Sequence, residues 1–586
     1  MPSLKLTGFS GEQPRIIPRL IPNNAAQSAI NTRLDNGALT PFRGPSDVAI
    51  LPSLGGASYG TIYRHGSEWL GWQGEINCVP GPVAADRLYF TGEGAPKMRV
   101  AGTVYALAVP RPASPLAGAV SGVATGDLET RLYLYSFVTS FGEESEPCAI
   151  SAEVNWAPGQ TVTLSGFQAA PAGRSITHQR IYRSQTGTTG TRLHFLAERA
   201  ASAADFVDAA APYAFQEPIP SLDYNAPPDG LKGLTSLPNG MMAAFDGRRL
   251  YFCEPWQPHA WPEKYVLTTE SEIVGLGAIG DSLVVATKGQ PYWVTGTAPD
   301  TMMMVKLEDN HPCVNSRGIA DLGASIVYPS TDGLMAVKAG AATGNITANI
   351  FSQKEWEQLS PQTFNAGQME GRWIASYNST DDDGNEITGS IVIDTSGSLP
   401  FLIRLDLRAS AWFYDIASGR LFFTRYESAK VEQFDAPNEP YLSQYWRSKQ
   451  FVLQRPDNFG AILIDSSDFM SNETIAIINA RIAAVIAENQ LLLAAGSISG
   501  DLNTKLINDI TLNGDDLIDL PNGNVGVVSV GIFADGKKVA SVSRANQVCR
   551  LPSGYRARVW EIDVFGTLQI EQIVMAKTVD ELASVQ

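Results

Sequence analysis

Acidic side chains crowd the stretch from Thr380 to Glu386, where Asp381, Asp382, Asp383 and Asn385 offer the oxygens of a calcium loop. The register forbids one. Counting from Asp381, position 6 needs a glycine and holds Glu386, and position 12 needs a bidentate glutamate and holds Val392. A solvated hairpin turn is the reading that fits. Ser330-Thr331-Asp332-Gly333 has the letters of an Asp-box, but Gly333 follows Asp332 directly and no Trp closes the motif. The histidines His65, His178, His194, His259 and His311 are dispersed. The cysteines Cys78, Cys148, Cys253, Cys313 and Cys549 never form CxxC or CxH. Neither Cys253 with His259 nor Cys313 with His311 has a second ligand pair nearby, so no zinc centre or disulfide framework is suggested. No Ser sits in GxSxG, and the Gly-rich stretches lack the Lys-Ser/Thr of a phosphate loop. No catalytic residue, metal or cofactor is expected. One enzymatic reading stays open, because the two carboxylates of a glycosidase are paired in space rather than in sequence. In that reading Trp69, Trp72, Trp256 and Trp261 are candidate sugar platforms.

The chain carries 43 Lys and Arg against 60 Asp and Glu, a formal charge of −17. Such a balance argues against gripping nucleic acid or an anionic membrane, and suits a protein that must not stick to DNA. Two segments depart from the average. Within residues 1–45, Lys5, Arg15, Arg19, Arg33 and Arg43 face only Glu12 and Asp35, and Pro14, Pro18, Pro22, Pro41 and Pro45 forbid a long helix. This predicts an extended N-terminal arm, either docking, with Arg15, Arg19, Arg33 and Arg43 as contacts to a neighbouring subunit or an adaptor, or a strand and loop wrapping its own domain with those arginines reaching solvent. Residues 501–519 hold Asp501, Asp509, Asp515, Asp516 and Asp519 against Lys505 alone. The first residues lack the apolar core of a signal peptide, and no apolar stretch is long enough to span a membrane, which predicts a protein made soluble in a reducing cytosol.

The elements that must position these groups read mostly as strands. With 53 Gly, 36 Pro and only 18% charged residues, the chain is neither disordered nor collagenous nor a coiled coil, but a large turn-rich globule. Short apolar or alternating runs end at Asp246-Gly247, Asp332-Gly333, Asp383-Gly384 and Asp535-Gly536, because a tight hairpin needs positive φ at its centre. A word recurs after such turns: Arg87-Leu88-Tyr89-Phe90, Arg249-Leu250-Tyr251-Phe252 and Arg420-Leu421-Phe422-Phe423, with weaker relatives beginning at Ser282, Ser325 and Arg372. From Arg249 onward the starts fall at intervals close to the roughly 40 to 50 residues of a four-stranded propeller blade. The gap from Arg87 to Arg249 is several blades long, so something is inserted there.

Pro-rich stretches at Val109 to Pro115 and Gln216 to Gly230 bracket about a hundred residues with their own short strands, the size of a fibronectin type III or immunoglobulin-like sandwich. The expected fold is therefore mainly β. It has an arm over 1–45, a β-propeller over 46–115 and 226–445, an inserted β-sandwich over 116–225, and a β-rich C-terminal domain over 446–586. That last domain carries one long helix, 472–495, whose stripe of Ile475, Ile478, Ile482 and Val485 packs on its own sheet or on a neighbouring subunit.

Phe9-Ser10-Gly11-Glu12, Pro14-Arg15, Pro18-Arg19-Leu20 and Thr32 to Leu39 look like the opening of the tail nozzle proteins (tail tubular protein B-like) of short-tailed bacteriophages. Thr139-Ser140-Phe141-Gly142-Glu143-Glu144-Ser145, Glu254-Pro255 with Pro258-His259-Ala260-Trp261-Pro262, Pro291-Tyr292-Trp293-Val294 and Arg556 to Val564 are similar to that family too. The resemblance implies a propeller-bearing subunit of a hexameric ring in the virion tail. That ring lies below the head-to-tail adaptor and portal assembly, meets tail fibre proteins, and is made in the bacterial host cytoplasm. It implies transient, non-specific passage of viral DNA and no catalysis. An acidic wall repels phosphates, so the five aspartates of 501–519 are expected on the inner surface of such a conduit. Two alternatives remain: a carbohydrate-binding or carbohydrate-cleaving propeller, and a receptor-binding tail fibre component.

Overall fold

Hairpins of one construction repeat along the chain. Ala534 pairs with Lys537 across Asp535-Gly536, whose φ values of 46° and 80° are the left-handed pair that lets a two-residue turn match the twist of its strands. The structure, a computed structural model, describes residues 3–187, 190–210, 216–381, 383–395, 400–467, 480, 483–490 and 526–585. Within them the protein is mainly β.

Six sets of four antiparallel strands form the blades of a propeller. Blade one is Asn77–Pro80, Arg87–Gly92, Gly94–Val100 and Thr103–Ala106. Blade two is Lys232–Ser236, Met242–Asp246, Arg249–Phe252 and Leu267–Thr268. Blade three is Ile273–Ile279, Ser282–Thr287, Tyr292–Thr295 and Met303–Lys306, and blade four is Ala320–Asp321, Ser325–Pro329, Leu334–Lys338 and Thr343–Asn345. Blade five is Asn365–Met369, Arg372–Thr380, Glu386–Asp394 and Phe401–Leu405. Blade six, Ala409–Asp415, Arg420–Arg425 and Lys430–Gln433, takes its fourth strand from Ser46–Ile50, with Lys430 opposite Ile50.

First strands of successive blades pack side by side from blade one to blade six, and the hairpin Thr61–His65 with Glu68–Trp72 follows blade six. That hairpin returns to blade one through the Arg99–Glu68 ion pair at 2.7 Å and the Trp72 and Phe90 rings, 5.6 Å apart. The circle is thereby closed.

The repeated word now has a physical cause. A blade's middle strands are covered on both faces, so they read as unbroken apolar runs rather than alternating ones. Leu250 and Phe252 pack with Leu283 and Val285 toward blade three, while Tyr251 packs with Tyr89 and Met98 toward blade one. The leading Arg249 stays at the exposed turn.

Between blades one and two lies a sandwich with its own core, which includes Tyr133, Tyr135, Phe137 and Trp156. One sheet pairs Ala117–Gly122, Gln160–Ser165 and Phe206–Asp208; the other pairs Tyr133–Thr139, Ile176–Gly187 and Gly190–Ala200. The C-terminal region is continuous with the propeller, because blade five extends through Ala26–Ile30 and Gln444–Ser448 to Ala557–Gly566, Val528–Ala534 and Lys537–Val542 in one ten-stranded sheet. A second sheet, Leu4–Thr7, Gln572–Ala576, Ala461–Asp465 and Cys549–Arg550, packs on it around Trp446, Trp560 and Phe459.

Of the two readings of residues 1–45, the described residues have the segment lying along its own domain. Its prolines exclude a helix, yet they leave room for Leu4–Thr7 and Ala26–Ile30 to enter these two sheets as strands. Of the expected helix 472–495, residues 480 and 483–490 are helical, with Val485 half-buried. Ile475, Ile478 and Ile482 lie outside the described residues, as do Asp501, Asp509, Asp515, Asp516 and Asp519.

Glu12 and Leu402 exchange backbone hydrogen bonds of 2.8 and 3.2 Å, which brings the preceding residue, Gly11, so close that a Cβ there would collide with the Leu402 carbonyl oxygen and the Phe401 ring. Gly11→Ala is therefore expected to destabilise the protein by about 1–3 kcal/mol. A urea titration checks this; an unchanged midpoint would contradict the close approach.

Candidate functional site: the joint between sandwich and propeller

Strand Tyr133–Thr139 ends in a tight loop that the sequence builds from its own side chains. The Thr139 hydroxyl accepts from the backbone N–H of Phe141 and of Glu143, both at 3.2 Å, and Gly142 turns the chain with φ 78°. The loop so formed aims Phe141 and Glu143 at the propeller, while the Glu144 carboxylate turns back toward the sandwich and its backbone carbonyl faces out. The Phe141 ring meets that of Tyr105 of blade one at 5.4 Å, and the Arg87 guanidinium lies 5.2 Å from its centroid.

Both glutamates are buried. Glu143 receives Arg174 Nη2 at 2.7 Å and faces Arg87 at 3.6 Å, while the same Arg174 nitrogen donates to the Leu107 carbonyl at 3.3 Å. Glu144 accepts from Ser136 Oγ and the Tyr182 hydroxyl at 2.7 Å, Ser221 Oγ at 2.8 Å and Arg180 Nη1 at 2.9 Å. Four donors on one carboxylate satisfy what burial removes. Burial, reinforced by the Glu144 charge, pushes the Tyr182 hydroxyl far above its usual pKa, so it stays a donor.

The propeller answers with one loop. Glu254 to Trp261 is braced by backbone hydrogen bonds from Gln257 to Glu254, from Ala260 to Gln257 and from Glu254 to Ala260, each at 2.9 Å. This stiff loop presents buried His259, whose Nε2 donates to the Glu144 carbonyl at 2.8 Å, with the Tyr224 ring 5.8 Å away. Burial holds the His259 pKa below its ordinary value, so the imidazole is neutral at pH 7.

Sequence reasoning nominated none of Glu143, Glu144, Arg174 or His259. Three of them do sit inside the words that carried the family resemblance, which was the available signal.

The nominated arginines are not brought together. Arg33 pairs with Asp35, with Glu370 at 2.8 Å and with Asp435 at 2.7 Å. Arg43 donates to the Glu439 carbonyl at 3.0 Å and stacks over Tyr441 at 4.2 Å. Arg15 donates to the Ala348 carbonyl. Arg19 is exposed and makes no ion pair among the described residues. Of the four candidate tryptophans, Trp261 is buried, Trp69 packs edge-on against Phe413 and Phe422, Trp72 meets Phe90, and Trp256 is exposed. The Asp381 carboxylate accepts from the N–H groups of Asp383 and Asn385 in its own hairpin turn.

A cavity of about 440 Å³ at the first strands of the blades is lined by Glu75, Asn77, Lys232 and Ser316, with Ser316 Oγ donating to Glu75 at 2.8 Å. Next to it Arg317, in the turn before blade four, reaches the carbonyls of Ser410, at 3.1 Å, and Gly60, and so ties that turn to blade six and the segment before the hairpin. Among the described residues, no three His, Cys, Asp or Glu side chains are grouped to hold a metal, and no helix is long and apolar enough to cross a membrane.

No family model matches the chain, and no curated protein matches its sequence. Among solved structures, the N-terminal domain of Nup159 is similar at 8% identity over 44% of this chain and 86% of that one, with a TM-score of 0.22. Citrobacter koseri AztD is similar at 11% identity over 51% and 76%, with a TM-score of 0.22. The Dos1 propeller is similar at 8% identity over 57% and 96%, with a TM-score of 0.21.

Neutral, buried His259 makes the joint sensitive to acid. The unfolded chain takes up a proton near the ordinary histidine pKa of about 6.5, whereas in the folded joint burial, helped by the Arg174 charge and outweighing the pull of Glu143 and the Glu144 carbonyl, holds protonation off to lower pH. This contribution to stability is present above about pH 6.5 and is lost as pH falls through the window below it, by up to about 1.4 kcal/mol per pH unit. His259→Gln is expected to flatten the difference between urea midpoints at pH 7 and pH 5; an unchanged difference would refute this account of the joint.

Proposed function

We propose that this chain is a structural subunit of a tail nozzle in a short-tailed bacteriophage, six copies forming the conduit below the head-to-tail adaptor through which the genome leaves. One observation carries the reading: the words resembling that family lie where parts of this molecule are fastened to one another. Thr139 to Ser145 and Glu254 to Pro262, far apart in sequence, meet in the sandwich joint. Phe9 packs edge-on to Trp446 at 5.1 Å, Ser10 accepts from the Trp446 indole N–H at 3.0 Å, and Glu12 receives Arg404 at 2.9 Å. Arg556 to Val564 runs along a strand interior to the ten-stranded sheet. An enzyme gathers its distinctive side chains around a cleft; here they hold sheet to sheet, which suits a part that bears load and performs no catalysis.

In this reading DNA passes through the centre of the ring, between subunits. The charge of −17 serves that passage, because a wall that repels phosphates lets a polyanion slide. The adaptor and portal assembly above and the tail fibre proteins beside it are its partners. It resides in the virion tail after synthesis in the host cytoplasm.

Native mass measurement is expected to give six copies of the 63.0 kDa chain, and a stable monomer or trimer would overturn the reading. Changing Asp501, Asp509, Asp515, Asp516 and Asp519 to Asn is expected to make the assembled ring retain duplex DNA in a salt-dependent way. Equal retention before and after the change would remove the acidic segment from the inner wall.

A further inference from the structure

Among the described residues, two exposed surfaces have opposite chemistries. The first is the turn 15–20. Its Ile17 and Leu20 are 48% and 67% exposed, Arg15 and Arg19 are exposed beside them, and it carries no acidic residue. The turn is fixed in place, since Arg15 holds the Ala348 carbonyl and Gln450 donates to the Pro18 carbonyl at 3.1 Å.

The second surface spans blades two and three. Trp256 is 55% exposed and its indole lies over Gly240, where a Cβ would strike the ring. Asn239, the next residue, donates to the Thr297 carbonyl at 3.1 Å, which ties in the segment leading to Met303, itself 67% exposed and paired with Thr295. Glu254 and Asp300 both face Tyr265 in this region, while Glu263 is already met by Arg249 at 4.0 Å and Lys264 by Asp223 at 2.7 Å. Trp, Met and Arg are the side chains that interface centres favour.

We infer that the turn 15–20 of one copy docks on the Trp256 and Met303 face of the next copy, with Arg19 meeting Asp300 and Leu20 covering the indole. A second copy is the occupant because one chain holds both halves, basic and apolar on one side, acidic and apolar on the other, on separate mountings. A contact between two different patches repeats head to tail and generates a ring when its rotation closes, whereas a self-complementary patch would stop at a dimer. This inference rests on the ring reading above and adds which surfaces make it.

The test uses the full chain in sedimentation velocity at physiological salt. Arg19→Glu alone and Asp300→Arg alone are each expected to weaken association by about ten-fold or more, and the two changes combined in one chain to restore it. Both positions are exposed, and near-ultraviolet circular dichroism verifies that the fold is kept. If both single variants assemble as well as the unaltered chain, this contact is wrong while the ring stands. If the singles weaken assembly and the combination does not restore it, the Arg19 with Asp300 pairing is wrong. If the unaltered chain does not assemble at any concentration, the ring reading and this contact fall together.

Discussion

Every strand has two hydrogen-bonding edges, and an interior edge left without a partner strands a row of backbone donors and acceptors away from water. In this molecule the first fifty residues complete what later parts leave open. Ser46–Ile50 finishes blade six, Ala26–Ile30 joins blade five to the C-terminal strands, and Leu4–Thr7 flanks Gln572–Ala576. The propeller circle, the ten-stranded sheet and the sheet packed on it each contain one of these strands. Glu12, buried among them, accepts from the Ala29 N–H at 2.8 Å and pairs with Arg404, so the same segment also supplies its own polar satisfaction.

The sandwich is attached on different terms. Its own core is apolar and separate, but its grip on the propeller is a polar cluster with one aromatic knob, Phe141. Breaking a buried ion pair by removing one partner costs several kcal/mol, because the remaining charge stays out of water. Glu143 facing Arg87, Arg174 on the Leu107 carbonyl and His259 on the Glu144 carbonyl therefore fix the sandwich in one orientation more firmly than an apolar contact of the same size, which tolerates sliding. Selectivity of pose is what such a joint contributes.

What was legible in the sequence was what the physics makes local. Leu88-Tyr89-Phe90 and Leu250-Tyr251-Phe252 read as strands because both their faces are buried, and the interval between blades follows from each blade being one folded unit. Turn chemistry marked the hairpins, and Pro clusters marked the edges of the insertion. Pairings made across the whole chain left no such mark. Leu4-Lys5-Leu6-Thr7 alternates like any short strand, and nothing in it says that Met575 is opposite Leu4. Arg33 looked available because its partners Glu370 and Asp435 are hundreds of residues away. Trp261 and Trp256 were equivalent as letters; burial alone separates them, and burial is a property of the finished fold. The joint was invisible for the same reason, since Glu144 and His259 become neighbours only when two loops meet.

The pairing of Leu4–Thr7 with Gln572–Ala576 also sets an order of events. On a ribosome, the strands of blades two to four can pair as they emerge, but residues 4–7 must wait until residue 576 has been translated. A chain broken off before Gln572–Ala576 leaves Leu4–Thr7 without the strand it pairs with. The sheet that packs on the ten-stranded one is thus completed late, an order of events written into topology.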